Sequence, residues 1–583
     1  MIEYRVRLAD ASRHWFEVDC HVEIAGEIED FELPSWIPGS YLLREYAQHV
    51  VRAEAFGSRG ESIEVEKIAH NVWRCKAHSR SVTLRLVIYA LDESVRGAWF
   101  DAQRAWFNGP CLFVRARNQP DTAVRLILEV PGVPLDKWQV ASAMAAVAVD
   151  ARGFGEYRAA DYDELLDHPF VIGDIDRVEF EAGGVPHSLV VLGRHDGDLE
   201  RVAEDLRRLC GEQIAFFGAL PPFEHYFFLC LIVADGYGGL EHRCSSVLMF
   251  DRTTLPGAQA RGMTKSYQRM LSLASHEYFH TWHVKRSKPA AFTPYRLSER
   301  NLTRLLWVFE GITSYYQDRF LLRCGLIDEQ AYLERLSELI SGVLRVPGRQ
   351  VQSLSESSFD AWDKLYKPNA NSPNAGVSYY SKGALVALAL DLEIRRRHDS
   401  RIALDDVVLA LWREFGARNI GLPEDGFERL AKRLAGEELT EFFDRTIRGT
   451  SDLPLVELFA DLAIDLVPVE SESVAWLGII SQATSEGVEC VTVLDGGPAQ
   501  AAGLNPGDII IALHHMKVTS ANMNALLNRF GIGAEIPVSF FRGDELLESV
   551  AVPGPAPPQS YRLCVRESED ERQHALRRGW LGE

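Results

Sequence analysis

The spacing of three histidines and one glutamate in Ser275–Pro289, SHEYFHTWHVKRSKP, constrains this chain more than any other feature. Apolar residues recur at helical spacing from Lys265 to Val284, which predicts a helix. On that helix His276 and His280 share one face, because they are four residues apart. Glu277 lies close enough to act on a water bound to an ion between them. The pattern predicts a zinc-dependent hydrolytic site. The alternative is a histidine-rich helix whose side chains only pack.

A third ligand is needed, because catalytic zinc usually takes three protein ligands and leaves a fourth position for water. Glu299 follows His280 after eighteen intervening residues, but it lies in the polar stretch LSERN and is expected to be solvated. Glu310 lies in LLWVFEGITSYY, on a helix predicted from Asn301 to Cys324. The apolar positions of that helix are Leu302, Leu305, Leu306 and Phe309. A carboxylate buried there is costly without a cation, so Glu310 is the preferred ligand.

Further predictions concern residues that lie close to these in the sequence. Gly311 inside a helix costs about 1 kcal/mol relative to alanine, which indicates close packing at that point. Ser314, one turn after Glu310, is a candidate to hold a metal ligand in place through a hydrogen bond without binding the metal itself. His283 lies off the ligand face and is interpreted as structural. Lys285 and its basic neighbours are explained by the helix dipole, which favours cations at a helix end.

Composition and charge argue against two classes of function. The chain has 62 basic and 83 acidic residues and a net charge of −21, which argues against binding to nucleic acid or to anionic membranes.

The nine cysteines contain no C-x-x-C pair and are expected to be reduced thiols rather than zinc ligands. No export signal is recognised, and no apolar run reaches the roughly 18 residues of a membrane helix. The expected location is the cytoplasm.

The periodicity of the chain changes three times, which predicts a multidomain α+β protein. Residues 1–175 alternate apolar and polar positions and predict an antiparallel β domain. Residues 176–465 have mainly helical spacing, after two strands expected from HYFFLCLIVAD and SSVLMF. Short strands return in residues 466–556, a small further domain. Residues 557–583 begin Pro-rich and continue highly charged, and are interpreted as a linker and a peripheral C-terminal extension.

Four phrases, taken in order, resemble the gluzincin metallopeptidases, and more narrowly the glycyl aminopeptidase family that carries a C-terminal PDZ domain. They are GGLEH, SHEYFHTWHVKRSKP, LLWVFEGITSYY and SYYSKGALVALALDL. WIPGSYLLRE near the amino end is also similar to that family, so the likeness covers essentially the whole chain. The resemblance implies a thermolysin-like catalytic domain, one Zn²⁺ ion, and substrates that are peptides with a free amino end and with glycine or alanine as their first residue.

The resemblance also implies roles near the metal. In the wider aminopeptidase N superfamily the third ligand lies in an E-G-x-x-S-Y phrase, which here assigns Glu310. Eleven extra residues separate it from the zinc helix, a departure from the usual gap that Glu299 would satisfy. A tyrosine in a Y-x-K-G-A phrase contacts the substrate carbonyl in that superfamily. This phrase assigns Tyr380, with Tyr379 as the alternative one position away.

In the same superfamily the phrase corresponding to GGLEH holds the amino end of the substrate. By resemblance, Glu241 binds the free α-amino group, which favours removal of one residue at a time. Gly238 and Gly239 would let an extended substrate backbone approach closely. His242 stands where the superfamily commonly has asparagine. Taken alone, the phrase would more often be a surface turn.

Residues 466–556 resemble a PDZ domain. The likeness lies in WLGI, GPAQAAGLNPGDIIIAL and SANMNALLNRF. A loop with exposed backbone N–H groups, followed by a strand edge, could bind the C-terminal end of a peptide. The alternative is that the protein's own chain fills this groove and the domain only braces the active site.

These observations predict a zinc aminopeptidase in which one ion is held by two imidazoles and one carboxylate. The ligands are His276, His280 and Glu310. Zinc lowers the pKa of its bound water toward about 7, and Glu277 takes the proton and passes it to the leaving amine. Tyr380 helps to stabilise the oxyanion. Two alternatives stay open: a zinc endopeptidase, for which Glu241 would be incidental, and a non-catalytic scaffold that binds peptides through the PDZ groove.

Overall fold

The computed structural model describes residues 2–76, 80–119, 121–130, 137–218, 221–469, 474–558, 560–568 and 570–582. The chain forms two compact units. The first comprises Met1–Asn301, Tyr316–Ile327 and Trp412–Leu422, and the second comprises Leu302–Tyr315, Asp328–Leu411 and Pro423–Glu583. The architecture is multidomain α+β, with an N-terminal β-rich part and a helical part. The division at residues 175, 465 and 556 stays a prediction.

The β-rich part contains a sheet of eleven described strands. In chain order they are Ile2–Asp10, Trp15–Glu23, Ile28–Glu32, Val50–Gly57, Ser62–Ala69, Val72–Lys76, Ser81–Tyr89, Arg115–Ala116, Val124–Leu128, Ala145–Val149 and Gly155–Ala159. Most neighbours pair antiparallel, as expected, but the first strand pairs in parallel with Val124–Leu128. A smaller sheet is formed by Ala98–Phe100, Arg104–Phe107, Gln139–Ala141 and Phe170–Gly173. Alternate residues of the first strand, such as Tyr4 and Val6, are buried in the core.

A five-stranded sheet follows and positions part of the candidate site. Its order is Ile175–Ala182, Val185–Leu192, Tyr226–Val233, Ser245–Asp251, Tyr237–Glu241. The third and fourth of these are the two strands expected from the sequence, and they pair in parallel. The connection between them forms a further strand, Tyr237–Glu241, which is antiparallel to its neighbour and lies at the edge of the sheet. This edge strand contains the GGLE residues.

The first unit also contains two long helices, Leu199–Phe217 and Lys265–Phe279, and the short helices Gly109–Leu112 and Tyr162–Leu166. The helix Lys265–Phe279, here called the histidine helix, begins at Thr264, whose hydroxyl accepts a hydrogen bond from the Tyr267 N–H. The expectation that it continues to Val284 is wrong. It ends at Phe279, and a tight loop follows in which Val284 has a φ of 97°.

Lys285, in that loop, forms a buried ion pair rather than serving the helix dipole. Its ammonium lies 2.7 Å from Asp167, and both side chains are less than a tenth exposed. The His242 Nδ1 lies 3.6 Å from the same carboxylate. Burial alone would raise the pKa of Asp167, but Lys285 and His242 hold it well below its usual value. The pair therefore fastens the loop after the histidine helix to the end of the helix Tyr162–Leu166, and His242 of the segment after the edge strand lies against the same carboxylate.

The second unit is mainly helical. The helices with their bounds are Glu329–Leu344, Leu354–Phe359, Ser372–Ala375, Ser381–His398, Leu404–Glu414, Gly426–Ala435, Leu439–Phe443, Leu455–Ala460 and Glu571–Leu581. The helix predicted from Asn301 to Cys324 is shorter. A π turn spans Trp307–Gly311, an α-helix follows over Ile312–Arg323, and Leu302 is 39% exposed instead of packed in the core. Among the described residues no helix is long and apolar enough to cross a membrane.

A small β-rich region near the C-terminal end has its own core. Its sheet contains Ile479–Ala483, Val488–Val493, Ile509–Leu513, Met516–Lys517, Ile536–Arg542 and Glu545–Ala551, with helices Pro498–Ala501 and Met523–Phe530. Buried residues such as Val488, Leu513 and Val538 form that core. Ile479–Ala483 is at one end of the strand order, and most of it is exposed.

The interpretation of the last residues as peripheral is wrong. Tyr561–Val565 pairs with Ile464–Pro468, and Trp580 of the final helix is completely buried. The Trp580 Nε1 donates to the Tyr315 hydroxyl at 3.1 Å, and that hydroxyl lies 2.7 Å from the Asp391 carboxylate. Because the segment is rich in charged residues, its sequence did not indicate that Trp580 packs in the core of the second unit.

We expect Lys285→Met to lower the free energy of unfolding by about 3–5 kcal/mol, because it leaves the Asp167 carboxylate buried without its cation. Urea unfolding followed by tryptophan fluorescence measures the change. Lys76→Met is the control, since Lys76 makes only exposed ion pairs in the same unit and should change stability by less than about 0.5 kcal/mol. Equal effects of the two variants would contradict the assigned role of the buried pair.

Candidate active site

The two histidines of the HEYFH stretch are held in one orientation by hydrogen bonds. The His276 Nδ1 lies 2.9 Å from the Gln317 Oε1, and the His280 Nδ1 lies 2.8 Å from the backbone oxygen of His283. Both partners are acceptors, so each Nδ1 carries the proton and donates it. Each Nε2 is then left with a lone pair, which is the form of imidazole that binds a metal ion. His283 therefore contributes through its backbone oxygen, and a structural role for its side chain stays a prediction.

The side chain of Glu277 extends from the histidine helix to the edge strand. Its side chain is buried, with 4% exposure, and its carboxylate rests against Gly239. A Cβ at position 239 would collide with that carboxylate and force it to move, so glycine leaves room for Glu277 in this position. The position of the second glycine of GGLEH is thus explained by contact with Glu277, which the sequence did not indicate.

The Glu241 carboxylate is buried beside a loop from the N-terminal β-rich part. It rests against Gly39 of the WIPGS phrase, where φ is 96° and a side chain would collide with it. Glu241 is 4% exposed, and its Oε1 accepts no hydrogen bond from the described part of the chain. A buried carboxylate oxygen without a donor is unfavourable, and a bound ammonium group would satisfy it.

His242, next to Glu241, faces the Asp167–Lys285 pair. Burial lowers the pKa of His242, although the Asp167 carboxylate acts in the opposite direction. The imidazole is therefore neutral at pH 7, and its contact with Asp167 ties the end of the edge strand to the buried ion pair. GGLE therefore forms a strand and His242 is buried, so the GGLEH phrase is not a surface turn.

Glu310 lies in the π turn Trp307–Gly311 and is 1% exposed. Single π turns within helices occur frequently at functional sites. Gly311 packs against Gly383 backbone to backbone: a Cβ at position 311 would lie 2.6 Å from the Gly383 Cα and 2.8 Å from the Tyr379 carbonyl oxygen. The close packing expected from Gly311 is therefore present. It brings the turn that carries Glu310 against the start of the helix Ser381–His398.

Tyr380 immediately precedes that helix. Its hydroxyl lies 3.0 Å from the Tyr366 hydroxyl, while the neighbouring Tyr379 is completely buried and stacks on Tyr380 with ring centres 4.6 Å apart. Burial, and then the nearby Glu310 carboxylate, raise the pKa of Tyr380 well above its usual value. Tyr380 is therefore a protonated hydrogen-bond donor, and Tyr379 is a core residue.

Two groups of described residues have side chains that could hold a metal ion, with ligand atoms within 4.8 Å of one another. They are His276, His280 and Glu310, and Glu241, Glu277 and His280. Glu299 differs from all of these, because its side chain is 61% exposed and pairs with Arg296 at 3.2 Å. Imidazole nitrogens with a carboxylate oxygen are the donor types that zinc takes in catalytic sites.

Sequence reasoning missed two polar residues of the site. Gln317 orients His276, whereas the residue proposed for support was Ser314. Gln317 lies seven residues, or about two helical turns, after Glu310, and that spacing was the available signal. Tyr366 contacts Tyr380 from a separate stretch of chain, and no pattern pointed to it.

Comparisons with known proteins agree with these motifs. The family model described as M61 glycyl aminopeptidase matches residues 269–386, and the model for the peptidase M61 N-terminal domain matches residues 3–174. The crystal structure of an aminopeptidase N family protein from Idiomarina loihiensis is 37% identical, with a TM-score of 0.94 over 100% of both chains. No curated protein matches the chain.

Structures of an M1 zinc metallopeptidase from Deinococcus radiodurans match more weakly. One is 13% identical with a TM-score of 0.47, covering 78% of this chain and 95% of that chain. A mutant form of it is 14% identical, with the same TM-score and coverage. A likeness this distant does not bear on function.

We expect Gly311→Ala and Gly383→Ala each to destabilise the second unit by about 1–3 kcal/mol or more, because the added methyl meets backbone atoms that cannot move aside cheaply. Thermal unfolding measures the effect. The control is Gly342→Ala in the helix Glu329–Leu344, where a Cβ meets nothing within 4 Å. That variant should gain about 0.5–1 kcal/mol from helix propensity. The glycine contact would be refuted if all three variants shifted in the same direction.

Proposed function

The chain belongs to the M61 glycyl aminopeptidase family, and from this we infer that it is a zinc-dependent aminopeptidase that releases single residues from the amino end of peptides. The observation that carries the proposal is the hydrogen bonding of His276 and His280. Because both Nδ1 atoms donate to acceptors, both Nε2 atoms keep a lone pair. His280 directly follows the helix and keeps the αR conformation, so the spacing of four residues can direct both Nε2 atoms at one ion.

Glu310 is proposed as the third ligand. It precedes Gln317 by seven residues along the continuous helical segment Trp307–Arg323, so the two side chains project from one face about two turns apart. Gln317 in turn accepts the hydrogen bond from His276. The burial of Glu310 supports the assignment, since a carboxylate at 1% exposure needs a cation or strong donors.

Zinc, when bound by these three residues, would acidify water and polarise a peptide carbonyl. Glu277 is proposed to take the proton from the attacking water and to transfer it to the leaving amine. The hydroxyl of Tyr380 is proposed to donate to the carbonyl oxygen as negative charge develops on it. The raised pKa of Tyr380 supports this role, because the phenol keeps its proton at neutral pH.

The free amino end of the substrate is proposed to bind Glu241. Its unpartnered buried Oε1 supports the role, because an ammonium group would supply the missing donor. Gly238 and Gly239 leave the edge strand without side chains, so a substrate backbone can lie against it. A first residue of glycine is proposed from the description of the family, and alanine is proposed from the resemblance of the motifs. The catalytic region is proposed to be thermolysin-like.

Residues 466–556 are proposed to form a PDZ domain whose groove lies between the strand Ile479–Ala483 and the helix Met523–Phe530. The exposure of that strand supports a site for a peptide C-terminus. No strand in the described part of this region pairs with its outer edge. This favours an added peptide over the alternative in which the protein's own chain fills the groove.

Glu277→Gln should retain zinc and lose hydrolysis of an aminoacyl-nitroanilide by about 10²–10⁴-fold, because the amide cannot accept the proton. Metal content by atomic emission and initial rates of the zinc-loaded protein measure the two properties. His276→Ala is the companion variant, and it should lose zinc and activity together. Unchanged hydrolysis by Glu277→Gln at full zinc occupancy would refute the general base.

A peptide with an acetylated amino end should not be cleaved, because it presents no ammonium group to Glu241. Glu241→Gln should lower kcat/KM for the free peptide by about 10–100-fold through the loss of a charge-assisted hydrogen bond. Chromatography of the products measures both. Internal cleavage of the acetylated peptide at a comparable rate would identify an endopeptidase instead.

A further inference from the structure

Arg96 brings a positive charge to the glycines of the edge strand. Its Nη2 donates to the Gly239 carbonyl oxygen at 3.3 Å, and its Nη1 lies 3.8 Å from where a Cβ would stand on Gly238. The backbone of Arg96 is held in place as well. Its carbonyl oxygen accepts from the Tyr46 hydroxyl at 3.0 Å, and its N–H donates to the Ser94 Oγ at 3.2 Å.

The charge of Arg96 is not neutralised within the described residues. No carboxylate there forms an ion pair with it, and its buried Nε has no hydrogen-bond acceptor. Arg104, by contrast, pairs with Glu93 at 2.8 Å. A guanidinium has five N–H donors in a fixed fork that fits a carboxylate, so an unpaired and partly buried one is suited to an anionic ligand.

The order of residues along the edge strand places this cation relative to the proposed chemistry. Glu241 lies at one end, Glu277 rests on Gly239 in the middle, and Arg96 lies beside Gly238 and Gly239. A peptide lying along the strand, with its amino end at Glu241 and its first peptide bond near Glu277, extends toward Arg96. We propose that Arg96 binds the terminal carboxylate of the substrate, an inference that rests on the proposed aminopeptidase function.

This arrangement sets the length of the preferred substrate. Arg96 meets the strand two to three residues from Glu241, a separation of about 7–10 Å at about 3.4 Å per residue. That span matches the distance between the ammonium and carboxylate groups of an extended peptide of two or three residues. The substrate class is therefore dipeptides and tripeptides with both ends free. Longer peptides carry their carboxylate past Arg96 and lose the interaction.

The test compares glycyl-alanyl-alanine with its C-terminal carboxamide, using the zinc-loaded full chain. The free acid should have a kcat/KM about 10–100-fold higher, the usual effect of a charge-assisted hydrogen bond. Arg96→Met should bring the ratio close to one by slowing the free acid alone, and Arg96→Lys should restore part of it. Arg52→Met, which removes an exposed arginine of the same unit, should leave the ratio unchanged. Extending the free acid from three to five residues should lower kcat/KM in the wild type only.

Two results would overturn the inference. A ratio near one in the wild-type protein would do so without any variant. Equal losses for the acid and the amide in Arg96→Met would assign Arg96 to holding Gly239, not to substrate recognition. Failure of the zinc-loaded protein to cleave either peptide is a different result: it overturns the proposed function, and this inference with it.

Discussion

The hydrogen bonds to the two imidazoles are the constraint on which the candidate site depends. A neutral histidine has one protonated and one unprotonated ring nitrogen, and the acceptors at Gln317 and His283 decide which is which. With the Nδ1 atoms as donors, His276 in the last turn of the histidine helix and His280 directly after that helix each keep a lone pair on Nε2 for an ion. The loop after the helix contributes to the orientation of His280, because it supplies the accepting carbonyl and is held in place by the ion pair between Lys285 and Asp167.

Glycine is the second recurrent requirement, because carboxylates and helix turns here lie directly against backbone. Gly39 and Gly239 leave room for the carboxylates of Glu241 and Glu277, and Gly311 lets the turn with Glu310 contact the next helix. Polar groups held this closely keep little freedom to adjust. The site is therefore organised before any ligand arrives.

The sequence predicted what local periodicity and motif spacing encode. The i, i+4 spacing of the histidines, the burial of Glu310 and the two strands on either side of the GGLEH residues could be expected from the sequence, whereas the parallel pairing of those strands and the strand that GGLE itself forms could not. Contacts between distant segments could not. Tyr366 follows no sequence pattern, and Gln317 is marked only by its spacing of seven residues from Glu310. The burial of Trp580 was not expected from the charged tail, because composition reports average polarity and not the burial of one side chain. The helix expected from Asn301 does not include Leu302, because the helical spacing of apolar residues begins earlier in the sequence than the helix does.

The contact between Trp580 and Tyr315 has a consequence for biosynthesis. Tyr315 lies five residues after Glu310, yet its hydrogen-bond partner is encoded 265 residues later. At about 5–20 residues per second, a ribosome needs about 13–53 s to produce that partner. During this interval the helix after Glu310 lacks its final packing. A growing polypeptide therefore contains the histidine pair long before the residue that packs against Tyr315 has been made.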